Sequence, residues 1–226
     1  MSTSLVYVKT YDEPEIDRRE ILRYAGVRGE APEIESTLEE CLTELSGKLT
    51  YQLCYRSFSV SFLDGALDIG FAVTESASLI RHVCGCREIV VFGATVGLEM
   101  DRLIAKYSRV APSKALLMQA IGAERIESLC DVFCRTLSSE LAAQGKGILP
   151  RFSPGYGDCP LELQKQIFDV LDCSRKIGLS LNQSMLMSPS KSVTAIVGVT
   201  DSKANEITDT SCACCQKTDC VYRRTE

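Results

Sequence analysis

The residues best suited to chemistry lie in Arg151-Phe-Ser-Pro-Gly-Tyr-Gly157, where a guanidinium precedes a Gly-Tyr pair by four positions and a proline stands just ahead of the glycine. A turn of this composition can bring a fixed fork of N–H donors, free backbone N–H groups and a phenol to one place. That combination suits a small zwitterion, because guanidinium pairs bidentately with carboxylates. Glycine adds backbone conformations closed to other residues and lets a ligand approach closely. On pattern alone, an ordinary Pro/Gly turn ahead of a helix is the commoner explanation of such a short stretch.

A second group of reactive residues sits near the end of the chain. Cys212-Ala-Cys-Cys215 and Cys220 stand among Ser, Thr, Asp and Lys, off any apolar face, so packing does not explain them. Thiolates converge on soft metals, and sulfur sites hold zinc or iron–sulfur clusters. Cys212 and Cys215 have the spacing of a metal knuckle. Cys214 crowds Cys215, so a site using Cys212, Cys214, Cys215 and Cys220 together is strained. A thiol redox pair and a polar tail with incidental thiols are the other readings. The remaining eight of the twelve cysteines are scattered. Cys41, Cys54, Cys130 and Cys134 lie on apolar faces, where a free thiol acts as a small hydrophobe. Cys84-Gly-Cys86 is too tight to assign.

Glu127 and Asp131 are four apart and share one flank of a helix, beside the stripe Ile126, Leu129, Cys130, Phe133 and Leu137. A solvated acidic face is the simplest account of them. His82, the single histidine, has no Gly-x-Ser-x-Gly elbow to serve and reads as an ordinary helix residue.

The elements that must position these residues follow from period and punctuation. Residues 5–9 alternate weakly as a strand, and 15–24 read as a helix stopped by Gly26. Residues 33–45 carry Ile34, Leu38, Cys41, Leu42 and Leu45 at helical spacing. Residues 49–63 alternate as a long or bulged strand, which 66–69 can pair with across the Asp64-Gly65 turn. Helix is expected at 76–83, 95–107 and 113–143, the last with a break at Gly122, and a short buried strand at 88–92. A helix over 161–177, with Leu163, Ile167, Val170 and Leu171 in one stripe, is followed by strands at 179–187 and 193–199. Strands at both ends with helices between them predict an α+β domain, with a mixed, partly antiparallel sheet and flanking helices, over 1–200. The polar Cys-rich tail over 201–226 shows no packing pattern.

Composition narrows the function classes. At 226 residues and 45% hydrophobic, the chain can bury a substantial core. The net charge of −5 and the absence of a Lys/Arg run argue against a nucleic-acid partner. No apolar run is long enough to span a membrane, and the N-terminus lacks the pattern of a signal peptide, so a cytoplasmic location is expected. Gly-x-Gly-x-x-Gly and P-loop nucleotide motifs are missing.

Arg151-x-x-x-Gly-Tyr156 followed by Cys159-Pro160 and a helix resembles the signature of the activation domain of cobalamin-dependent methionine synthase. Phe168-Asp-Val-Leu-Asp172, Ile177-Gly-Leu-Ser-Leu-Asn182, Ser184-Met-Leu-Met187 and Pro189-Ser-Lys-Ser-Val193 are similar to that domain in order and spacing. Gly93-Ala-Thr-Val-Gly-Leu-Glu99 and Gly122-Ala-Glu-Arg-Ile-Glu-Ser-Leu-Cys-Asp131 resemble its short, free-standing members. The likeness covers roughly residues 10 to 200 and implies a mixed α/β fold on an antiparallel sheet.

The resemblance implies a methyltransferase component that binds S-adenosylmethionine. It would support reductive methylation of cobalamin held by a partner, methionine synthase or another corrinoid methyltransferase, with a reductant such as a flavodoxin or ferredoxin. Cobalamin left as inactive Co(II) is rescued by one electron and a methyl group. Carried onto this chain, Arg151 would clamp the ligand carboxylate and the backbone around Ser153 and Gly155 would meet the adenine or ribose. Tyr156 would pack on the ligand, and Glu127 would take its positive end, with Asp131 a weaker candidate. No Asp-x-His-x-x-Gly element is present, so cobalamin would come with the partner. The chain departs from larger members in three ways. It has Gly157 where they carry proline. It has Ala195-Ile-Val-Gly-Val199 and Asn205 in place of an aromatic strand and a tyrosine. It also adds the Cys tail. The alternative is an accessory protein whose Cys tail binds a metal or cluster and delivers the electron.

Overall fold

The computed structural model describes residues 5–27, 29 and 31–201; Asn205 and the thiols at 212–220 lie outside the described residues. In chain order the elements are β1 (Tyr7–Tyr11), α1 (Arg18–Tyr24), α2 (Pro32–Leu45), β2 (Tyr51–Ser59), β3 (Ser61–Leu63), β4 (Ala66–Asp68), β5 (Val73–Thr74), α3 (Ala77–His82), β6 (Glu88–Thr95), α4 (Glu99–Val110) and α5 (Pro112–Ala142). They continue with β7 (Gly147–Phe152), α6 (Leu163–Leu171), α7 (Cys173–Ile177), β8 (Ser180–Leu181), β9 (Met187–Ser188) and β10 (Ser192–Thr200).

The main sheet has the order β1-β2-β6-β10-β7, and every pair in it is antiparallel. β6 and β10 are nearly continuous apolar runs because they lie at the centre of the sheet, covered on both faces. On one face α5 lays Leu129, Phe133 and Leu137 against Val90, Phe92, Ala195 and Val197. On the other, Leu79 of α3, Leu163, Ile167 and Leu171 of α6 and Cys173 of α7 cover Cys54, Val91 and Ile196. A third cluster ties α1, α2 and α4 to the first half of α5, around Ile21, Leu38, Met100 and Met118. This is the α+β class, with the antiparallel sheet and flanking helices, that the sequence predicts.

Several boundaries differ for physical reasons. The strand expected over 49–63 divides at Val60, whose N–H bonds Arg87 O at 3.0 Å. β2 stays in the main sheet, and β3 turns across Asp64-Gly65 to pair with β4 in a small three-stranded sheet. Thr95 is strand, paired with Gln52 and Ser192, and the helix expected from it starts at Glu99. The helix over 161–177 breaks at Asp172, which sits at φ 51°. Residues 179–187 form two short strands around a turn, in which the Asn182 side chain accepts the N–H groups of Ser184 and Leu186 at 2.9 and 3.0 Å.

Gly122 does not break α5. A Cβ there would lie 2.8 Å from Cγ of Lys191, so the glycine makes room for that side chain instead. β7 was not foreseen, because Gly-Ile-Leu-Pro-Arg-Phe neither alternates nor lacks proline. Its place at the sheet edge tolerates Pro150. No helix among the described residues is long and apolar enough to cross a membrane.

Candidate functional site

β7 carries Arg151 opposite Val197 of β10. Strand alternation sends neighbouring side chains to opposite faces, and Arg151 takes the α5 face. Glu127 and Asp131 stand one turn apart on α5 and meet it there. Nη2 of Arg151 donates to Glu127 Oε2 at 3.0 Å and to Asp131 Oδ1 at 2.7 Å. The trio is half-buried, with side-chain exposures of 24%, 41% and 47% for Arg151, Glu127 and Asp131. Nη1 of Arg151 is buried and has no hydrogen-bond partner among the described residues.

The Cys130 and Cys134 thiols share this environment. Burial pushes Cys134 up to about 11 and Cys130 higher still. For Arg151, burial disfavours the charge, but Cys130, Glu127 and Asp131 outweigh it and raise the guanidinium pKa. Arg151 therefore stays charged with acids on one nitrogen and an unused donor on the other.

The rest of the motif goes elsewhere. Phe152 takes the opposite face, where its ring centroid lies 5.1 Å from His82 and 6.3 Å from Tyr156. Tyr156 is 67% exposed, so its phenol does not join Arg151 behind the strand. The turn also consumes donors that the sequence left free for a ligand. Gly155, at φ +90°, donates its N–H to Cys159 O at 3.0 Å, and the Tyr156 N–H goes to Ser153 O at 3.2 Å. Of the backbone around Ser153 and Gly155 that was expected to meet a ligand, the Gly155 N–H and Ser153 O are thus taken up by the bonds that close the turn on itself. Gly157 has φ +57°, a value closed to proline, so the departure from the family pattern there is built into the turn. Next to it, Asp158 caps α3, accepting from the Ser76 hydroxyl at 2.7 Å and from the N–H groups of Ala77 and Ser78 at 2.8 and 2.9 Å. The Ser76 hydroxyl and the Ser78 and Ala77 donors hold its carboxyl far below the usual carboxylate range.

Beside the trio, two adjoining clefts of about 260 and 530 Å³ open between α5 and the segment leading into α1. Asp17, Ser128 and Asp131 line both, and Glu124 and Glu127 line the smaller. Sequence reasoning passed over Asp17, Glu124, Arg125 and Ser128. Arg125 carried a usable signal, since it falls four residues from Ile121 and four from Leu129, both fully buried, on the core stripe where a lone cation needs a partner. Among the described residues no three His, Cys, Asp or Glu side chains gather as metal ligands.

With this geometry in hand, the comparisons are specific. The model of the vitamin B12 dependent methionine synthase activation domain matches residues 80–212. Among solved structures, the MetH reactivation domain bound to AdoHcy aligns at a TM-score of 0.62 and 15% identity, covering 89% of this chain and 79% of that one. At that identity the likeness is one of fold. No curated protein matches the chain.

Proposed function

The chain belongs to the vitamin B12 dependent methionine synthase activation-domain family, and from that premise we propose that it binds S-adenosylmethionine and presents it to cobalamin held by a partner corrinoid methyltransferase. The ligand supplies a sulfonium methyl group, which the partner's cobalamin accepts once a reductant such as a flavodoxin or ferredoxin has given it one electron. The work left to this chain is binding and orientation. The solved relative was bound to AdoHcy, the product that methyl donation leaves, which supports this choice of ligand.

The observation that carries the proposal is the juxtaposition at Arg151. A buried, unpaired Nη1 lies on the same guanidinium whose other nitrogen holds Glu127 and Asp131. One end of a zwitterion finds a cation there and the other end finds carboxylates. Arg151 would receive the ligand carboxylate, and Glu127, helped by Asp131, the ammonium or sulfonium. Ser153, Gly155 and Tyr156 would border the nucleoside end from the exposed turn. Because Nη2 is already shared, a bidentate clamp requires the ligand to displace one acid.

Calorimetric titration with S-adenosylmethionine tests this. Wild type should bind and Arg151→Ala should bind roughly ten- to a hundredfold more weakly, through loss of a charge-assisted contact of about 1.5–3 kcal/mol. No heat and no thermal shift at millimolar ligand would refute it. Addition of a cobalamin-loaded partner and a reductant should then yield methylcobalamin. The thiols Cys212, Cys214, Cys215 and Cys220 would form a separate unit over 201–226 that holds zinc or an iron–sulfur cluster. Elemental analysis after anaerobic purification checks that.

A further inference from the structure

The largest fully buried side chain among the described residues is not apolar: it is Arg125, 1% exposed, beside Glu124 at 2%. Arg125 Nε and Nη2 each donate to the Glu124 carboxylate at 2.5 Å. Its remaining donors reach out of α5, Nη1 to Pro14 O at 2.6 Å and Nη2 to Glu15 O at 2.7 Å. Glu124 Oε1 in turn accepts the Asp17 N–H at 3.1 Å and the Ser128 hydroxyl at 2.7 Å. Asp17 then caps α1, its carboxylate accepting from the N–H groups of Arg19 and Glu20 at 3.0 and 3.1 Å. Removing two charges from water is expensive and seldom improves on apolar packing for stability alone. Here the pair fastens an irregular segment, residues 14–17, that joins regular structure at Asp17, whose carbonyl accepts the Ile21 N–H at 3.0 Å.

That segment is a wall of the clefts beside the Arg151 trio. Pro14, Glu15, Ile16 and Asp17 line one side, and Ser128 and Asp131 the other. We propose that Arg125, gripped by Glu124, is a positioning residue for the ligand cleft, setting residues 14–17 at a fixed distance from Glu127 and Asp131 without touching the ligand itself. The inference rests on the reading of this site as the S-adenosylmethionine site. The fork geometry matters: guanidinium spans two carbonyls and a carboxylate at once, and an ammonium does not.

The test compares Arg125→Lys, Glu124→Gln and Leu171→Ala, the last a core change on the far face of the sheet. For each full-length variant, S-adenosylmethionine affinity is measured by calorimetry, the melting temperature by scanning calorimetry, and amide hydrogen exchange over residues 13–19. The expected result is that Arg125→Lys weakens binding about tenfold or more, as loss of an outer supporting partner commonly does. Exchange over 13–19 quickens, and saturating ligand slows it again. Leu171→Ala should melt lower yet bind as wild type does. Should Arg125→Lys not fold, Glu124→Gln, which loosens the carboxylate's hold on Arg125 and on the Asp17 N–H, should likewise quicken exchange over 13–19 and weaken binding. Variants that melt lower but bind with wild-type affinity overturn the positioning role and leave the binding site standing. Wild type that binds no S-adenosylmethionine overturns the site reading, and the positioning role with it.

Discussion

The two faces of the central sheet are built on different terms. The α5 face takes charge into the interior: Glu124 and Arg125 are fully buried on it, and Arg151 reaches it half-buried with two acids. The face under α3, α6 and α7 is mainly apolar and carries no fully buried ion pair among the described residues; there Cys54 and Cys173 approach to 3.8 Å. The difference teaches that a contiguous motif need not be a contiguous site. Arg151 and Phe152 are neighbours in sequence, yet alternation puts the first among charges and the second in a ring cluster with His82 and Tyr156.

The strongest way to break this contrast is to damage each face equally. Arg125→Met leaves Glu124 buried without its partner and should cost about 3–5 kcal/mol, while Leu171→Ala on the other face should cost about 2–5 kcal/mol. Denaturant unfolding checks both. If the contrast is right, the first also impairs ligand binding and the second does not.

A smaller effect separates the two halves of the motif. Arg151→Ala should lose about 1.5–3 kcal/mol of S-adenosylmethionine binding. Tyr156→Ala, at an exposed position, should change stability by less than about 0.5 kcal/mol. A loss of affinity in Tyr156→Ala equal to that in Arg151→Ala would show that the ligand bridges the sheet edge and joins the faces that the free protein keeps apart.

The effects of pH point in opposite directions on the two faces. Cys134 on the α5 face is raised from 9.0 to about 11 by burial. The fold therefore favours its protonated form, and that contribution is intact below pH 9.0 and lost as pH climbs toward about 11. Asp158 on the other face is depressed from 3.8 by its hydrogen bonds. Its contribution is intact above pH 3.8 and lost as pH falls toward the folded value. Melting curves of wild type against Cys134→Ser should converge in alkali, and those against Asp158→Asn in acid.

Much of the fold was legible. Helical stripes placed α2, α5 and α6, and the Asp64-Gly65 pair placed the β3–β4 hairpin. What escaped was decided by distant partners. β7 is a strand only because β10 offers it a ladder, and Thr95 belongs to β6 because Gln52 and Ser192 flank it. At the candidate site, Arg151, Glu127 and Asp131 were named as separate ligand contacts; the fold brings them against one another, with Asp131, ranked below Glu127, the closer of the two. Glu124 and Arg125 were not seen, since adjacent opposite charges on a helix look like surface unless their phase against Ile121 and Leu129 is weighed.

Helix α5 runs 31 residues without interruption, and it alone carries Glu124, Glu127 and Asp131. Their mutual spacing is therefore a property of the helical screw and not of any loop. Such a ruler tolerates side-chain drift at its ends but not a change of count within it. One residue inserted between Glu124 and Glu127 would rotate everything beyond it by about 100°. The cleft wall and the acids facing Arg151 would then look in different directions, though no residue of either had been altered. Across homologues, this segment should vary in composition while keeping its length.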